Sequence, residues 1–215
     1  ERGETEGKIQ QPLEQWSACS QGVDTSSEHA AEQRTQALSP SDSMDIMFTS
    51  GTTGIPKGVI SAHGQNIKSF TTWSNTVGLN ATDNYLIINP FFHSFGYKAG
   101  WLSAIIQGAK MLPVLTFDLD EVLAQIERDK ISMLPGPPPI YQSLLAHPNR
   151  GDYALSRLRL AVTGAAAVPV ELVNQMWNDL GFETVVTAYG LTETCGVVTI
   201  CRPEDSAEII STTSG

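Results

Sequence analysis

The chain has 215 residues, of which 41% are hydrophobic and 17% charged, and its formal net charge is −10. This composition is typical of a globular protein, and the length is sufficient for one large domain or for part of a larger one. The negative charge argues against nucleic acid as the main partner, because nucleic-acid phosphates are bound by clustered Lys and Arg, and the sequence has no such cluster.

The first 43 residues are polar and are dominated by Gln, Glu, Ser and Thr. Such a stretch buries too little apolar surface to order itself. Residues 1–43 are therefore predicted to be a polar linker or an incomplete N-terminal segment. Because the chain also starts without methionine, we expect it to be an internal fragment.

From residue 44 onward, short apolar runs alternate with helical patterns. The runs resemble buried strands and comprise residues 46–48, 85–88, 131–134, 158–162 and 184–188. Helical spacing is shown by Leu119, Val122, Leu123 and Ile126, and again by Leu172, Val173, Met176 and Leu180, which follow Pro169. This alternation predicts an α/β fold with mostly parallel sheets flanked by helices, in which ligands bind at the carboxyl ends of strands.

Residues 49–58 follow the first apolar run and read TSGTTGIPKG. Gly51 and Gly54 let backbone N–H groups approach an oxygen closely, and successive N–H groups form an anion-binding concavity. Hydroxyl donors come from Thr49, Ser50, Thr52 and Thr53, and a positive charge from Lys57. The pattern predicts a site for a polyphosphate.

A nucleoside-triphosphatase P-loop is excluded by the spacing, because that motif requires G-x-x-x-x-G-K-[ST]. Here Pro56 precedes Lys57 and Gly58 follows it. A flexible surface turn has a similar composition, but a lysine is not a typical turn residue.

Three further segments follow strand-like runs. Residues 89–97 read NPFFHSFGY, residues 163–169 read TGAAAVP, and residues 188–194 read AYGLTET. Taken singly, His93, Tyr189 and Glu193 fit a core histidine, a packing aromatic and a surface charge. Taken together and in this order, the four segments closely resemble the adenylate-forming superfamily, which includes acyl-CoA synthetases, firefly luciferases and peptide-synthetase adenylation domains.

The resemblance covers residues 44–215 and implies part of the large N-terminal domain of such an enzyme. It implies that Lys57, Thr192, Glu193 and His93 are catalytic and that Glu193 also binds Mg²⁺. It implies nucleotide-binding roles for Thr49, Ser50, Gly51, Thr52, Thr53, Gly54, Lys57, Gly164, Ala165, Ala166, Ala188, Tyr189, Gly190 and Thr192. It implies an acyl pocket formed by Phe92, His93, Phe95, Gly96 and Tyr97.

The reaction implied by the resemblance has two halves and uses ATP, Mg²⁺, a small carboxylic acid and coenzyme A. A carboxylate oxygen attacks the α-phosphorus of ATP, pyrophosphate leaves, and an acyl-adenylate forms. The thiol of coenzyme A then displaces AMP. Two alternatives stay open: an adenylation domain that loads a carrier-protein thiol, and a non-catalytic nucleotide-binding module.

One subgroup of the superfamily is especially similar. Residues 89–100, 134–145 and 201–205 resemble actinobacterial acyl-CoA synthetases that act on the bicyclic propanoate left after degradation of steroid rings A and B. The same stretches also fit a fatty or an aromatic acid, since one pocket methylene is worth only about 1–3 kcal/mol of discrimination.

The superfamily also has a later aspartate that binds the ribose hydroxyls, a hinge, and a C-terminal lid domain with a further lysine. Residues 44–215 stop before these parts. We therefore expect this stretch to be a truncated AMP-binding core that is inactive or nearly so by itself.

Cys19, Cys195 and Cys201 show no C-x-x-C spacing and are predicted to be reduced thiols. No apolar run approaches the roughly 20 residues of a membrane span, and the N-terminus has no signal-peptide pattern. These features predict a cytoplasmic protein with no transmembrane segment, and they leave its oligomeric state open.

Overall fold

The structure, a computed structural model, describes residues 25–49 and 54–215. The chain divides into two compact units, Glu1–Ser39 and Pro40–Gly215. The described part of the first unit contains helix α1 (Thr25–Ala37), and its residues 29–37 are all exposed. Most of the segment predicted to be a polar linker, residues 1–24, lies outside the described residues, so that interpretation stays a prediction.

The second unit alternates strands and helices. In chain order it contains β1 (Ser43–Thr49), β2 (Lys57–Ala62), α2 (His63–Val77), β3 (Asn84–Ile87), a π-helix (Phe95–Leu102), α3 (Ser103–Gln107), β4 (Lys110–Pro113), α4 (Leu119–Arg128), α5 (Pro138–Ala146), β5 (Leu160–Gly164), α6 (Val170–Asn178), β6 (Thr184–Tyr189), β7 (Thr199–Ile200) and α7 (Ala207–Thr212). Two 3₁₀ turns, Arg150–Asp152 and Thr192–Thr194, lie between these elements.

The main sheet is mostly parallel, as the sequence predicts. Strand β4 pairs in parallel with β3, and β5 pairs in parallel with β6, while the short β7 is antiparallel to β6. Met133 connects the two halves, because it forms parallel bridges to Tyr85 of β3 and to Leu160 of β5. The predicted strand at 131–134 is thus reduced to a single bridging position, and Pro135 follows two residues later.

Strands β1 and β2 form a separate antiparallel hairpin in which Ile46 lies opposite Ile60. The prediction of a strand at 46–48 is confirmed, but the prediction that it is buried is wrong. Ile46 is 58% exposed and Phe48 is 73% exposed. Successive side chains of a strand point to opposite faces, and one face of this two-stranded ribbon has no layer over it among the described residues.

The two helices predicted from apolar periodicity are present. Helix α4 begins after Asp118, whose carboxylate accepts a hydrogen bond from the Glu121 N–H at 2.9 Å, and it buries Val122, Leu123 and Ile126. Such an N-cap satisfies one of the free N–H groups of the first turn. Helix α6 begins after Pro169 and buries Leu172, Val173 and Met176. Their buried side chains join the hydrophobic core formed with the strands of the sheet.

No helix within residues 25–49 and 54–215 combines the length and the apolar character that crossing a bilayer requires.

An ion pair between a buried carboxylate, Asp83, and a partly exposed guanidinium, Arg159, joins the amino ends of β3 and β5. Asp83 is 1% exposed, and its carboxylate accepts hydrogen bonds from the Arg159 Nε at 2.9 Å and the Ser132 hydroxyl at 2.7 Å. Arg159 also donates to the Gly78 carbonyl at 2.7 Å. The pair thereby ties the loop that enters β3 to the strand two positions away in the sheet.

Asp83→Asn is expected to lower the free energy of unfolding by about 1.5–3 kcal/mol, because it removes the charge that strengthens the hydrogen bonds from the partly exposed Arg159. Urea unfolding measures the change. The control is Glu121→Gln, which breaks the solvent-exposed pair with Arg128 and is expected to change stability little. Equal losses in the two variants would contradict the importance assigned to the pair of Asp83 and Arg159.

Tyr141 is fully buried, and its hydroxyl donates to the Leu134 carbonyl at 2.8 Å. Burial raises the pKa of this phenol well above its usual value near 10. Above pH 10 the unfolded chain therefore holds fewer protons than the folded one, so stability falls by about 1.4 kcal/mol per pH unit for each such tyrosine.

Tyr141→Phe is accordingly expected to flatten the decline in unfolding free energy above pH 10 by about 1.4 kcal/mol per pH unit. Urea titrations between pH 9 and pH 11 measure the slope. Leu144→Ala, a substitution in the same helix α5, is the control: it lowers stability by about 2–5 kcal/mol at every pH without changing the slope. If Tyr141→Phe leaves the slope of unfolding free energy against pH unchanged, the phenol has the same pKa in the folded and the unfolded chain, which contradicts the prediction.

Candidate active site

A cleft of about 660 Å³ lies where the parallel strands end. Asn89 follows β3, Gly164 is the last residue of β5, and Ala188 and Tyr189 close β6, and all four residues line the cleft. Ligands of open α/β sheets bind at this position, beyond the carboxyl ends of the strands. The topology therefore gathers segments that are far apart in the sequence.

The cleft brings together many of the predicted site residues. Those that line it are Thr49, Lys57, His93, Phe95, Gly164, Ala165, Ala188, Tyr189, Gly190, Thr192 and Glu193. Ser50, Gly51, Thr52 and Thr53 lie outside the described residues, so their predicted contacts with phosphates stay predictions.

Two side chains of opposite charge line the cleft, Lys57 and Glu193. Lys57 is the first residue of β2, and Glu193 lies in the 3₁₀ turn Thr192–Thr194, against which β2 packs. Within residues 29–49 and 54–215, neither side chain makes an ion pair or a side-chain hydrogen bond, and both residues are exposed. An ammonium and a carboxylate are thus both available to a ligand.

The turn that carries Glu193 is folded tightly on itself. A Cβ at Gly190 would lie 2.0 Å from the Gly196 carbonyl oxygen, so only glycine fits there. The Thr194 hydroxyl donates to the Leu191 carbonyl at 3.0 Å, and Cys195 has a φ of 62°. Backbone packing therefore fixes the position of the turn.

The turn after β5 approaches the end of β6 equally closely. Gly164 has a φ of 152°, and a Cβ there would lie 2.8 Å from the Ala188 carbonyl oxygen. Ala165 is held at a φ of 63°, a region that non-glycine residues seldom occupy. Strained backbone of this kind concentrates at binding sites, and here it shapes one wall of the cleft.

His93 also lines the cleft. Its Nδ1 accepts a hydrogen bond from the Phe95 N–H at 3.1 Å. The neutral imidazole therefore carries its proton on Nε2, which leaves that nitrogen as a donor. His93 is exposed and lines the cleft, so it presents a polar group within a largely aromatic segment.

Several lining residues were not identified as site residues from the sequence. They are Phe70, Trp73, Asn89, Ser94, Ala99, Gly136, Pro137, Thr163, Leu191, Gly196 and Val197. Phe70 and Trp73 lie on α2, where an apolar position looks the same whether it faces a core or a cleft. Thr163 is 2% exposed and its hydroxyl has no hydrogen-bond partner within the described residues, a property that only a structure reveals.

Three residues of the predicted acyl pocket do not line the cleft: Phe92, Gly96 and Tyr97. The Phe92 side chain is 85% exposed. Gly96 packs on the preceding turn, where a Cβ would lie 2.3 Å from the Asn89 carbonyl oxygen. Tyr97 stacks on Trp101, with ring centroids 4.7 Å apart.

Two other predicted nucleotide contacts lie apart from the cleft lining. Ala166 lines a neighbouring cavity of about 570 Å³ that extends toward α7. Gly54 is exposed in the loop between β1 and β2, with a φ of 83°. The roles of Phe92, Gly96, Tyr97, Ala166 and Gly54 stay predictions.

The residues of the cleft could bind a magnesium ion through one carboxylate together with a bound substrate. Among the described residues, no group of three or more His, Cys, Asp or Glu side chains could hold a metal. Glu193 is the one carboxylate among the described residues that line the cleft. Mg²⁺ commonly binds through one or two carboxylates together with substrate phosphates and water, and a single carboxylate in a cleft predicted to bind a polyphosphate fits that mode.

Comparison with known proteins identifies the relatives of this chain. Two propanoyl:CoA ligases are similar to this chain, each named for a 3-[(3aS,4S,7aS)-7a-methyl-1,5-dioxo-octahydro-1H-inden-4-yl]propanoyl group. The one from Rhodococcus jostii RHA1 is 52% identical over 86% of this chain and 36% of the relative. The one from Mycobacterium tuberculosis H37Rv is 53% identical over 86% and 37%. The chain thus spans little more than a third of these relatives.

Solved structures show the same fold. The inhibitor-bound N-terminal domain of FACL13 from Mycobacterium tuberculosis superposes with a TM-score of 0.74 at 27% identity, covering 83% of this chain and 44% of that one. O-succinylbenzoate coenzyme A synthetase (MenE) from Bacillus subtilis, solved with ATP and magnesium ion, gives a TM-score of 0.69 at 30% identity, covering 80% and 35%.

The family model described as AMP-binding enzyme matches residues 3–214. A match of this extent, together with relatives above 50% identity, means that the chain belongs to the AMP-binding enzyme family.

Proposed function

We propose that this chain is the nucleotide- and acid-binding core of an AMP-forming ligase that joins a carboxylic acid to coenzyme A. The observation that carries the proposal is the set of side chains that line one cleft. Lys57 and Glu193 line it without a charged partner among the described residues, and His93 lines it together with apolar side chains. Family membership and the names of the relatives support the same reaction.

In the first half-reaction, a carboxylate oxygen of the acid bonds to the α-phosphorus of ATP, and the bond to the β-phosphate bridging oxygen breaks, releasing pyrophosphate. Lys57 and the backbone N–H groups of the loop before it hold the departing phosphates. Thr192 contacts the α-phosphate. Glu193 holds Mg²⁺, which when bound neutralises phosphate charge. Such transfers depend mainly on positioning and on charge stabilisation.

The acid lies beside His93 in the same cleft. Phe70, Trp73 and Phe95 add apolar surface to the lining, which excludes water from the reactive mixed anhydride. The Nε2–H of His93 is a donor that orients the acid's carboxylate. In the second half-reaction, the sulfur of coenzyme A bonds to the acyl carbon, and AMP leaves with the electron pair of the broken C–O bond.

The acid proposed is a bicyclic propanoate of the kind named in the Rhodococcus and Mycobacterium relatives. Their identity of 52–53% extends over 86% of this chain. Loading of an amino acid is less favoured, because a buried ammonium requires a carboxylate partner. Glu193 is the only acidic residue among the described lining residues, and it is already assigned to Mg²⁺.

Lys57→Ala and Glu193→Ala are each expected to reduce carboxylate-dependent ATP–pyrophosphate exchange by about 10²–10³-fold, the usual loss when one group aimed at developing charge is removed. The assay uses the protein at its full natural length. Lys110→Ala, which removes an exposed lysine on β4, is the control and is expected to leave exchange unchanged. Undiminished exchange in either cleft variant would refute the role assigned to that residue.

The acid is identified by the same exchange assay with a panel that contains the bicyclic dioxo propanoate, a medium-chain fatty acid, an aromatic acid and amino acids. We expect kcat/KM to be highest for the bicyclic acid. Preference for a fatty acid would keep the reaction and discard the substrate. No exchange with any acid, alongside tight ATP binding, would favour a non-catalytic nucleotide-binding module.

A further inference from the structure

Lys98 is the one lysine within residues 29–49 and 54–215 that is fully buried, at 1% exposure, and it lies inside the π-helix Phe95–Leu102. Lysine is almost never fully buried unless its charge is paired, and π-helical turns are rare and often lie at functional sites. The reaction proposed above makes no use of this side chain. Its burial therefore calls for a separate explanation.

The partners of Lys98 come from the hairpin. Its ammonium lies 3.3 Å from Oδ1 of Asp45 on β1 and donates to the hydroxyl of Ser61 on β2 at 2.9 Å. Ser61 in turn donates to Asp45 Oδ1 at 2.7 Å. Asn66 of α2 donates its Nδ2–H to the Ser61 hydroxyl at 2.9 Å. We call these four residues the Lys98 cluster.

The Tyr97 side chain also lies near the Asp45 carboxylate. Burial, with the neighbouring Asp45 carboxylate, raises the pKa of the Tyr97 phenol to about 12. The hydroxyl of the residue next to Lys98 thus also lies near the Asp45 charge, so two successive residues of the π-helix meet the hairpin at one point.

The Lys98 cluster links two segments that contribute residues to the cleft. On one side, Asp45 and Ser61 belong to the strands that lead into and out of the loop carrying Lys57. On the other side, Lys98 belongs to the helix whose Phe95 and Ala99 line the cleft. None of the four cluster residues lines the cleft itself.

We propose that Lys98 and Asp45 are positioning residues, whose buried ion pair fixes the hairpin that holds the phosphates against the π-helix that flanks the acid. The inference rests on the proposed function. A buried ion pair contributes little net stability compared with apolar residues of similar volume, but it is directional and specifies one register between the two elements. Attack of a carboxylate on the α-phosphorus requires that register, since a misplacement of about 1 Å costs on the order of 10²-fold in rate.

The test compares the two half-reactions in the protein at its full natural length. The variants are Lys98→Met, Asp45→Asn and the double variant, in which no unpaired charge stays buried. ATP–pyrophosphate exchange with the preferred acid reports the first half-reaction. Thioester formation from coenzyme A and chemically prepared acyl-adenylate reports the second, which does not need pyrophosphate to be held.

The double variant is expected to lose about 10–100-fold in kcat for exchange, while its rate of thioester formation from the acyl-adenylate stays within about threefold of the unaltered protein. Asp83→Asn is the matched control, because it breaks an ion pair at the opposite end of the sheet. If this variant is less active because less of the protein is folded, the rates of both half-reactions fall by the same factor.

Equal loss of both half-reactions in the double variant would assign the pair a purely structural role and overturn the inference. Exchange at the unaltered rate would also overturn it. Absence of exchange in the unaltered protein is a different result, because it refutes the proposed function itself, and the inference with it.

Discussion

The parallel pairing of β3, β5 and β6 is the constraint on which the site depends. Parallel strands end at the same edge of a sheet, so the segments that follow them must share one space. Met133 makes this possible, because its single bridging position connects β3 to β5 across what would otherwise be a gap. The ion pair of Asp83 and Arg159 holds the same strands together at the other end. The cleft is thus a consequence of how the sheet is assembled.

Much of this arrangement can be predicted from the sequence. Helices α4 and α6 follow from apolar periodicity, and the nature of the cleft follows from Lys57 and Glu193 in segments that come after strands. The π-helix and the burial of Lys98 cannot be predicted in this way. A lysine in an aromatic stretch ordinarily suggests exposure, and its pairing depends on Asp45, which is distant in the sequence. The exposure of Phe48 was missed for a related reason, since a short apolar run does not reveal how many layers will cover it.

Lys57 and Lys98 show how position determines the function of one residue type. Lys57 is exposed in the cleft and has no charged partner among the described residues, so its charge is available to a ligand. Lys98 is buried and its charge is neutralised by Asp45. The net charge of −10 therefore does not oppose the binding of a polyphosphate, because the potential at the site depends on the few charges that are near it and unpaired.

This contrast between the two lysines also suggests a reason for the burial of Lys98, which costs free energy of desolvation. Among residues 25–49 and 54–215, the strands of the hairpin pair only with each other and leave one face uncovered, so backbone hydrogen bonds between strands do not determine the position of the hairpin relative to the main sheet. Apolar contacts are non-directional and tolerate sliding, whereas the Lys98 ammonium must meet both Asp45 and Ser61 within hydrogen-bonding distance. An ion pair at this junction therefore provides registry that the hydrophobic core cannot, at the place where the proposed reaction requires two substrates to be aligned.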